Sequence, residues 1–191
     1  MTQLGQQELM EPGPRRRIIA PAGRSAWWGV DPSTRRVAVA GVSWAADGSL
    51  ERWVREMPFM PLDGPQRLVY IRQATVELAG RMMDWPALRP GLVMVEQPGG
   101  THRNYELFYA TGVIVEAIAS VVACPVEMVT PAWWKKRACG RGNIYKPKRK
   151  GEEYEVLTWA RANGYTGLSW DEADAWGIAE AARREVALEE R

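Results

Sequence analysis

Cysteine, histidine and phenylalanine are all scarce: two, one and two among 191 residues. Cys124 and Cys139 make no disulfide framework, and with His102 as the only histidine their spacing fits no zinc site. A reducing, cytoplasmic compartment is therefore expected. No apolar run approaches the roughly 18 residues that a membrane span needs, so no membrane partner is expected. The N-terminus lacks the apolar centre of a secretory signal, and none is expected. Internal repeats are missing too, which excludes solenoids and propellers. What is there is a chain 46% hydrophobic and 25% charged, long enough for one domain with a sizeable core.

The net charge of +2 divides unevenly. Between Met128 and Gly151 stand Lys135, Lys136, Arg137, Arg141, Lys146, Lys148, Arg149 and Lys150, with no acid among them. Taking these eight from the 25 basic residues leaves 17 against 23 acids, so the rest of the chain carries −6. An acidic body with one basic segment is a way to meet a polyanion. A solvated loop without a ligand is the plain alternative.

Residues 1–25 contain Pro12, Pro14, Pro21 and the triplet Arg15–Arg17, with almost no apolar periodicity, and are expected to form a disordered tail ahead of a single domain over 26–191. Trp27–Val30 is a short apolar run ending at Asp31-Pro32. Arg36 to Trp44 reads as a strand, Asp47-Gly48 as a hairpin turn, and Leu50 to Met57 as the returning strand. After Pro65 the apolar residues fall at helical intervals until Trp85-Pro86 closes the segment. Gly91 to Val95 is unbroken and apolar, the mark of a strand covered on both faces. A helix is expected from about Tyr105 to Val122, a last strand over Val126 to Val129, then helices around Glu152 to Ala162 and from Trp170 to the end. This order predicts an α/β fold: a mixed five-stranded sheet, three antiparallel strands then parallel crossovers, with helices on both faces.

Four acids sit where function is the better reason for an acid. Asp31 and Glu96 follow expected strands, at the carboxyl ends where open α/β sheets gather ligands. Asp171 and Asp174 lie three apart, hence on one helix face, beside a stripe of Ala175, Ile178, Ala179 and Ala182 suited to close packing. Singly, three have a ready structural account: Asp31 starting a turn, Glu96 pairing with an arginine, Asp171 favouring the dipole of a helix capped by Ser169; Asp174, one turn in and flanked by alanines, is less easily dismissed. Together they form a cluster that repels itself unless cations neutralise it, and oxygen ligands favour Mg²⁺, or Mn²⁺, over zinc. Two such ions about 4 Å apart suit in-line displacement at a phosphodiester.

Gly29-Val30-Asp31-Pro32-Ser33, Val95-Glu96-Gln97 and Asp171-Glu172-Ala173-Asp174-Ala175 resemble, in order and spacing, the three acidic motifs of the RuvC-type Holliday junction resolvases. Pro131-Ala132-Trp133-Trp134-Lys135-Lys136 with Gly140-Arg141-Gly142 is similar to the family's proline-to-lysine stretch and its basic glycine loop. The likeness runs from about residue 27 to 182. It implies an RNase H-like fold, a homodimer, and Mg²⁺-dependent nicking of four-way junctions that leaves 5′-phosphate and 3′-hydroxyl ends. Carried over, Asp31, Glu96, Asp171 and Asp174 are metal ligands, and Lys136 is the first lysine near the scissile phosphate. The second is one of Lys146, Lys148 or Lys150. The enlarged basic loop is expected to bind phosphates without sequence preference. Where the family often has an aromatic three residues past the glutamate, this chain has Gly99, so broad activity on branched DNA is expected. The tail and loops suggest a bacteriophage or mobile-element version, acting in a bacterial host.

Tyr105 and Phe108 are candidates to replace that aromatic, although core packing is the expected role of both. Trp133 and Trp134 are open between base stacking, amphipathic packing and a dimer interface. His102 is read as a surface residue. Rival functions are a nuclease for RNA/DNA hybrids or flaps, an actin-like ATPase, for which the chain is short, and a non-catalytic DNA-binding module.

Overall fold

Three strands open the domain: the first two are nearly unbroken runs of apolar and small residues buried on both faces, the third is mixed apolar and charged, and their turns are chemically marked. A computed structural model describes residues 26–99, 105–147, 152–167 and 169–189. Strand β1 (Ala26–Pro32) is antiparallel to β2 (Arg36–Trp44), which is antiparallel to β3 (Leu50–Pro58). Gly48, at φ +85°, and the Ser49 N–H donated to Asp47 Oδ1 at 2.8 Å make the expected hairpin between β2 and β3. Helix α1 (Gly64–Met83) begins at Pro65 and buries Ile71, Ala74, Leu78 and Met82. Strand β4 (Pro90–Glu96) then lies parallel to β1, and β5 (Val126–Val129) parallel to β4, giving the order β3-β2-β1-β4-β5.

Helix α2 (Tyr105–Ala119) ends short of Val122. The Ser120 hydroxyl donates to the Ala117 carbonyl at 2.7 Å, a side-chain bond that competes with the helical ladder. After β5 comes a helix the sequence pattern did not indicate, α3 (Pro131–Cys139). Thr130 accepts the Trp133 N–H at its start, Pro131 follows, and Gly140 at φ +88° closes it in the left-handed conformation. Helices α4 (Glu155–Ala162) and α5 (Trp170–Glu189) complete the chain.

The pleat sorts the core into two layers. Trp28, Val30, Val37, Val39, Val93 and Val95 face α1 and α2, while Ala38, Ala40, Val42, Leu92 and Met94 face α3, α4 and α5. Helix α5 meets the sheet at backbone distance: a Cβ on Gly29 would stand 2.2 Å from Ala179 N and 2.3 Å from Ala175 O. The small-residue stripe on α5 exists for this approach. No helix among the described residues is long and apolar enough to cross a membrane. The expected tail over residues 1–25 lies outside the described residues.

Candidate active site

Two rules of local geometry bring the acids together. Val30 of β1 pairs with Val95 of β4, so Asp31 and Glu96 follow side by side on adjacent parallel strands. Side chains alternate along a strand, so Gly29 and Asp31 share one face of β1 and Met94 and Glu96 share the same face of β4, the face that α5 covers. Asp174 directly precedes Ala175, the residue held against Gly29, and Asp171 stands one turn earlier on α5. The start of α5 is tied down as well. Ser169 Oγ accepts the Glu172 N–H at 3.4 Å and donates to Glu56 of β3 at 2.8 Å; Arg36 bridges Glu56 at 2.6 Å and Asp171 at 3.7 Å.

The carboxylates gather around an ammonium. Lys146 Nζ lies 2.8 Å from Asp174 Oδ2, 3.0 Å from Asp171 Oδ1 and 3.7 Å from Asp31 Oδ2. Asp174 is 1% exposed and Asp31 5%, whereas the Lys146 side chain is 40% exposed, so the cation caps the cluster from its open side. Behind the acids stand two buried donors. Trp134 Nε1 donates to Glu96 Oε2 at 2.6 Å, and the Tyr154 hydroxyl donates to Asp174 Oδ1 at 2.5 Å.

Burial is the main force on these groups. It raises Asp31 well above the carboxylate range, reinforced by the charge of Asp174. It raises Glu96 to about 7, with Asp174 adding to the rise and the Trp134 N–H opposing it. Asp174 is raised by burial against the pull of Lys146. Burial pulls Lys146 down, but Asp31 and Asp174 outweigh it and hold the ammonium above its ordinary value. The cluster is thus short of positive charge.

Among the described residues no three acid, histidine or cysteine side chains are close enough together to hold a metal ion as they stand. They are spaced around an ammonium instead. The donor set nevertheless fits a hard divalent cation, being all carboxylate oxygen. Asp174 Oδ2 is buried, and the Lys146 ammonium stands 2.8 Å from it, where a cation is called for.

The lysine facing the acids from α3 is Lys135, not Lys136. Lys135 is buried, donates to the Ile144 carbonyl at 2.9 Å and lies 5.3 and 5.9 Å from the ring centres of Trp134 and Tyr154. Lys136 is exposed, since successive helix residues point about 100° apart and only one can face inward. Arg137 lies over Trp133 and pairs with Glu185, and Arg141 pairs with Glu155. Of the basic residues expected to hold DNA, Lys135, Arg137, Arg141 and Lys146 make internal contacts, and Lys136 is an exposed cation for which no ion pair is seen among the described residues. Lys148, Arg149, Lys150 and His102 lie outside the described residues. Tyr105 and Phe108 are exposed, contrary to the expectation of core packing, because the first turn of α2 projects beyond the sheet-facing stretch that begins at Ala110. Trp134, open in the sequence between stacking on bases and packing, instead donates to Glu96, and Tyr154 carries no mark in the sequence. The signal for Trp134 was its place beside the motif lysines.

Neither a protein-family model nor a curated protein matches the sequence. Among solved structures, Thermus thermophilus RuvC is similar at 21% identity and a TM-score of 0.64, over 85% of this chain and 96% of that one. A structure of T. thermophilus RuvC with a Holliday junction substrate gives 22% identity and a TM-score of 0.61, over 85% and 97%. The sheet order, the helices on both faces and this likeness establish that the chain has the RuvC-like, RNase H-like fold.

Proposed function

We propose that the protein is a metal-dependent, structure-selective DNA endonuclease that nicks four-way junctions and other branched DNA, leaving 5′-phosphate and 3′-hydroxyl ends. The observation that carries the reading is the meeting of Asp31, Glu96, Asp171 and Asp174, from three separate elements, at the carboxyl ends of β1 and β4. The RuvC-like fold, and the junction complex of the T. thermophilus protein, make branched DNA the substrate class to try first.

In this reading the four carboxylates hold Mg²⁺ or Mn²⁺, with two ions as the full complement. Bound there, the metal neutralises phosphate charge and makes water acidic enough to attack at neutral pH. The chain supplies the rest. Burial keeps the carboxylates close and poorly hydrated, which raises their attraction for a divalent cation. Lys146 and the exposed Lys136, with Lys148, Arg149 and Lys150, give the phosphate backbone its cationic partners. Lys135, shielded by two aromatic rings, fixes the loop that carries Lys146 through the Ile144 carbonyl. Exposed Tyr105 and Tyr109 at the start of α2 offer faces for base stacking. A homodimer places two sites for nicks on opposite strands.

A nicking assay on a synthetic four-way junction, with and without divalent metal, tests this. Cleavage should need the metal, and Asp174→Asn should lower it by more than about 100-fold while junction binding persists. Preferential cutting of an RNA/DNA hybrid would move the substrate class, and no cutting under any divalent metal would refute the enzyme.

A further inference from the structure

Glu96 and Asp174 each have one oxygen committed to a buried aromatic donor and one left over. Glu96 gives Oε2 to the Trp134 indole N–H at 2.6 Å, and Asp174 gives Oδ1 to the Tyr154 hydroxyl at 2.5 Å. The remaining Asp174 oxygen, Oδ2, is buried and faces the Lys146 ammonium at 2.8 Å. A carboxylate in a crowded acid cluster otherwise turns to whichever cation or water is nearest, and a fixed donor removes that freedom.

Both donors are immobile. Trp134 is fully buried, and its ring is wedged against α5 so closely that a Cβ on Gly177 would stand 2.5 Å from it. Tyr154 is 1% exposed and packs on Trp170 with ring centres 5.4 Å apart. An indole N–H donates and never accepts, so Trp134 contributes neither a metal ligand nor a proton acceptor. At Tyr154 packing alone would be served by a phenylalanine, which differs only by the hydroxyl.

We infer that Trp134 and Tyr154 are positioning residues for the divalent-cation site, each fixing one carboxylate so that a single oxygen is turned to the cation. The inference rests on the metal-dependent reading above. Neither residue touches substrate or metal; they act through Glu96 and Asp174.

The test uses the full chain without DNA. Trp134→Phe and Tyr154→Phe keep a ring and delete the donor, and Mn²⁺ binding to each is measured by calorimetry. Outer-shell donors of this kind are worth about 10- to 100-fold in metal affinity, and that weakening is expected in both variants. Circular dichroism should stay native, and excess Mn²⁺ should restore cleavage with an unchanged KM for the junction. Tyr154→Phe removes one oxygen and leaves the ring, so it carries the test should the indole replacement unfold the chain. Mn²⁺ affinity within twofold of the parent in folded variants would overturn the inference and leave the nuclease reading standing. A parent chain that binds no Mn²⁺ would overturn both.

Discussion

Glu96 shows at a single residue what the site costs the fold. Its carboxyl has an ordinary value of 4.5 in the unfolded chain and about 7 when buried beside Asp174. Between those values the folded chain holds the proton more firmly, so stability falls as pH rises from about 4.5 to about 7 and the full loss persists above. The gap corresponds to about 3 kcal/mol. Glu96→Gln, whose amide oxygen still accepts from Trp134, should therefore melt several degrees above the parent at pH 8 without divalent ions. At pH 4 the two melting temperatures should coincide. Lys146 gives a second residue-scale outcome, with two readouts of opposite sign. In the proposed metal-dependent reading its ammonium, held among Asp31, Asp171 and Asp174, competes with the metal ion, so Lys146→Met should tighten Ca²⁺ binding in calorimetry. The same variant should weaken junction cleavage, since a phosphate partner is gone. Looser Ca²⁺ binding in Lys146→Met would contradict the competition.

At the scale of elements, the contact of α5 with β1 decides where Asp174 sits. Gly29 admits that contact, because any side chain there would overlap the backbone of Ala175, Ile178 and Ala179. Gly29→Ala should cost at least about 3 kcal/mol in urea unfolding, at the upper end of overpacking penalties, since two backbones and not a flexible side chain must separate. Any folded fraction should lose cleavage before junction binding. The small-residue stripe made this contact readable from the chain, and the apolar strand runs and the Asp47-Gly48 turn made the sheet readable. Helix α3 was not readable in the same way. In nine residues it carries Trp133, Trp134 and Ala138 among lysines and arginine, and the apolar pattern is too short to separate from a basic loop. The Thr130-Pro131 start and Gly140 stop were the available marks. Without the helix its phase was unknown, and phase is what distinguishes inward Lys135 from outward Lys136. The pairing of Trp134 with Glu96 spans 38 positions and two elements, and no local rule of spacing encodes it.

For the whole molecule, formal charge overstates the cations left for the DNA of the proposed function. The segment from Met128 to Gly151 carries +8, yet Lys135 is buried and Arg137 and Arg141 are paired with Glu185 and Glu155. The first holds the loop; Arg137, together with Arg184 donating to the Arg137 and Ala138 carbonyls at 2.9 and 3.1 Å, latches α3 to α5. Each phosphate contact contributes about −0.9 to the slope of log K against log salt. Lys136→Ala should make that slope shallower by about 1 for any junction sequence, whereas Arg137→Ala should leave the slope unchanged and lower the melting temperature. Equal slope changes in both variants would mean that the latch also meets DNA.

Diffraction from crystals grown with Mn²⁺, using its anomalous signal, examines the convergence of the acids most directly. An Mn²⁺ peak bounded by Asp31, Glu96, Asp171 and Asp174 is expected, with the Lys146 ammonium displaced from among them. Saturating Mn²⁺ with no peak there, and Lys146 still paired to Asp171 and Asp174, would contradict the account.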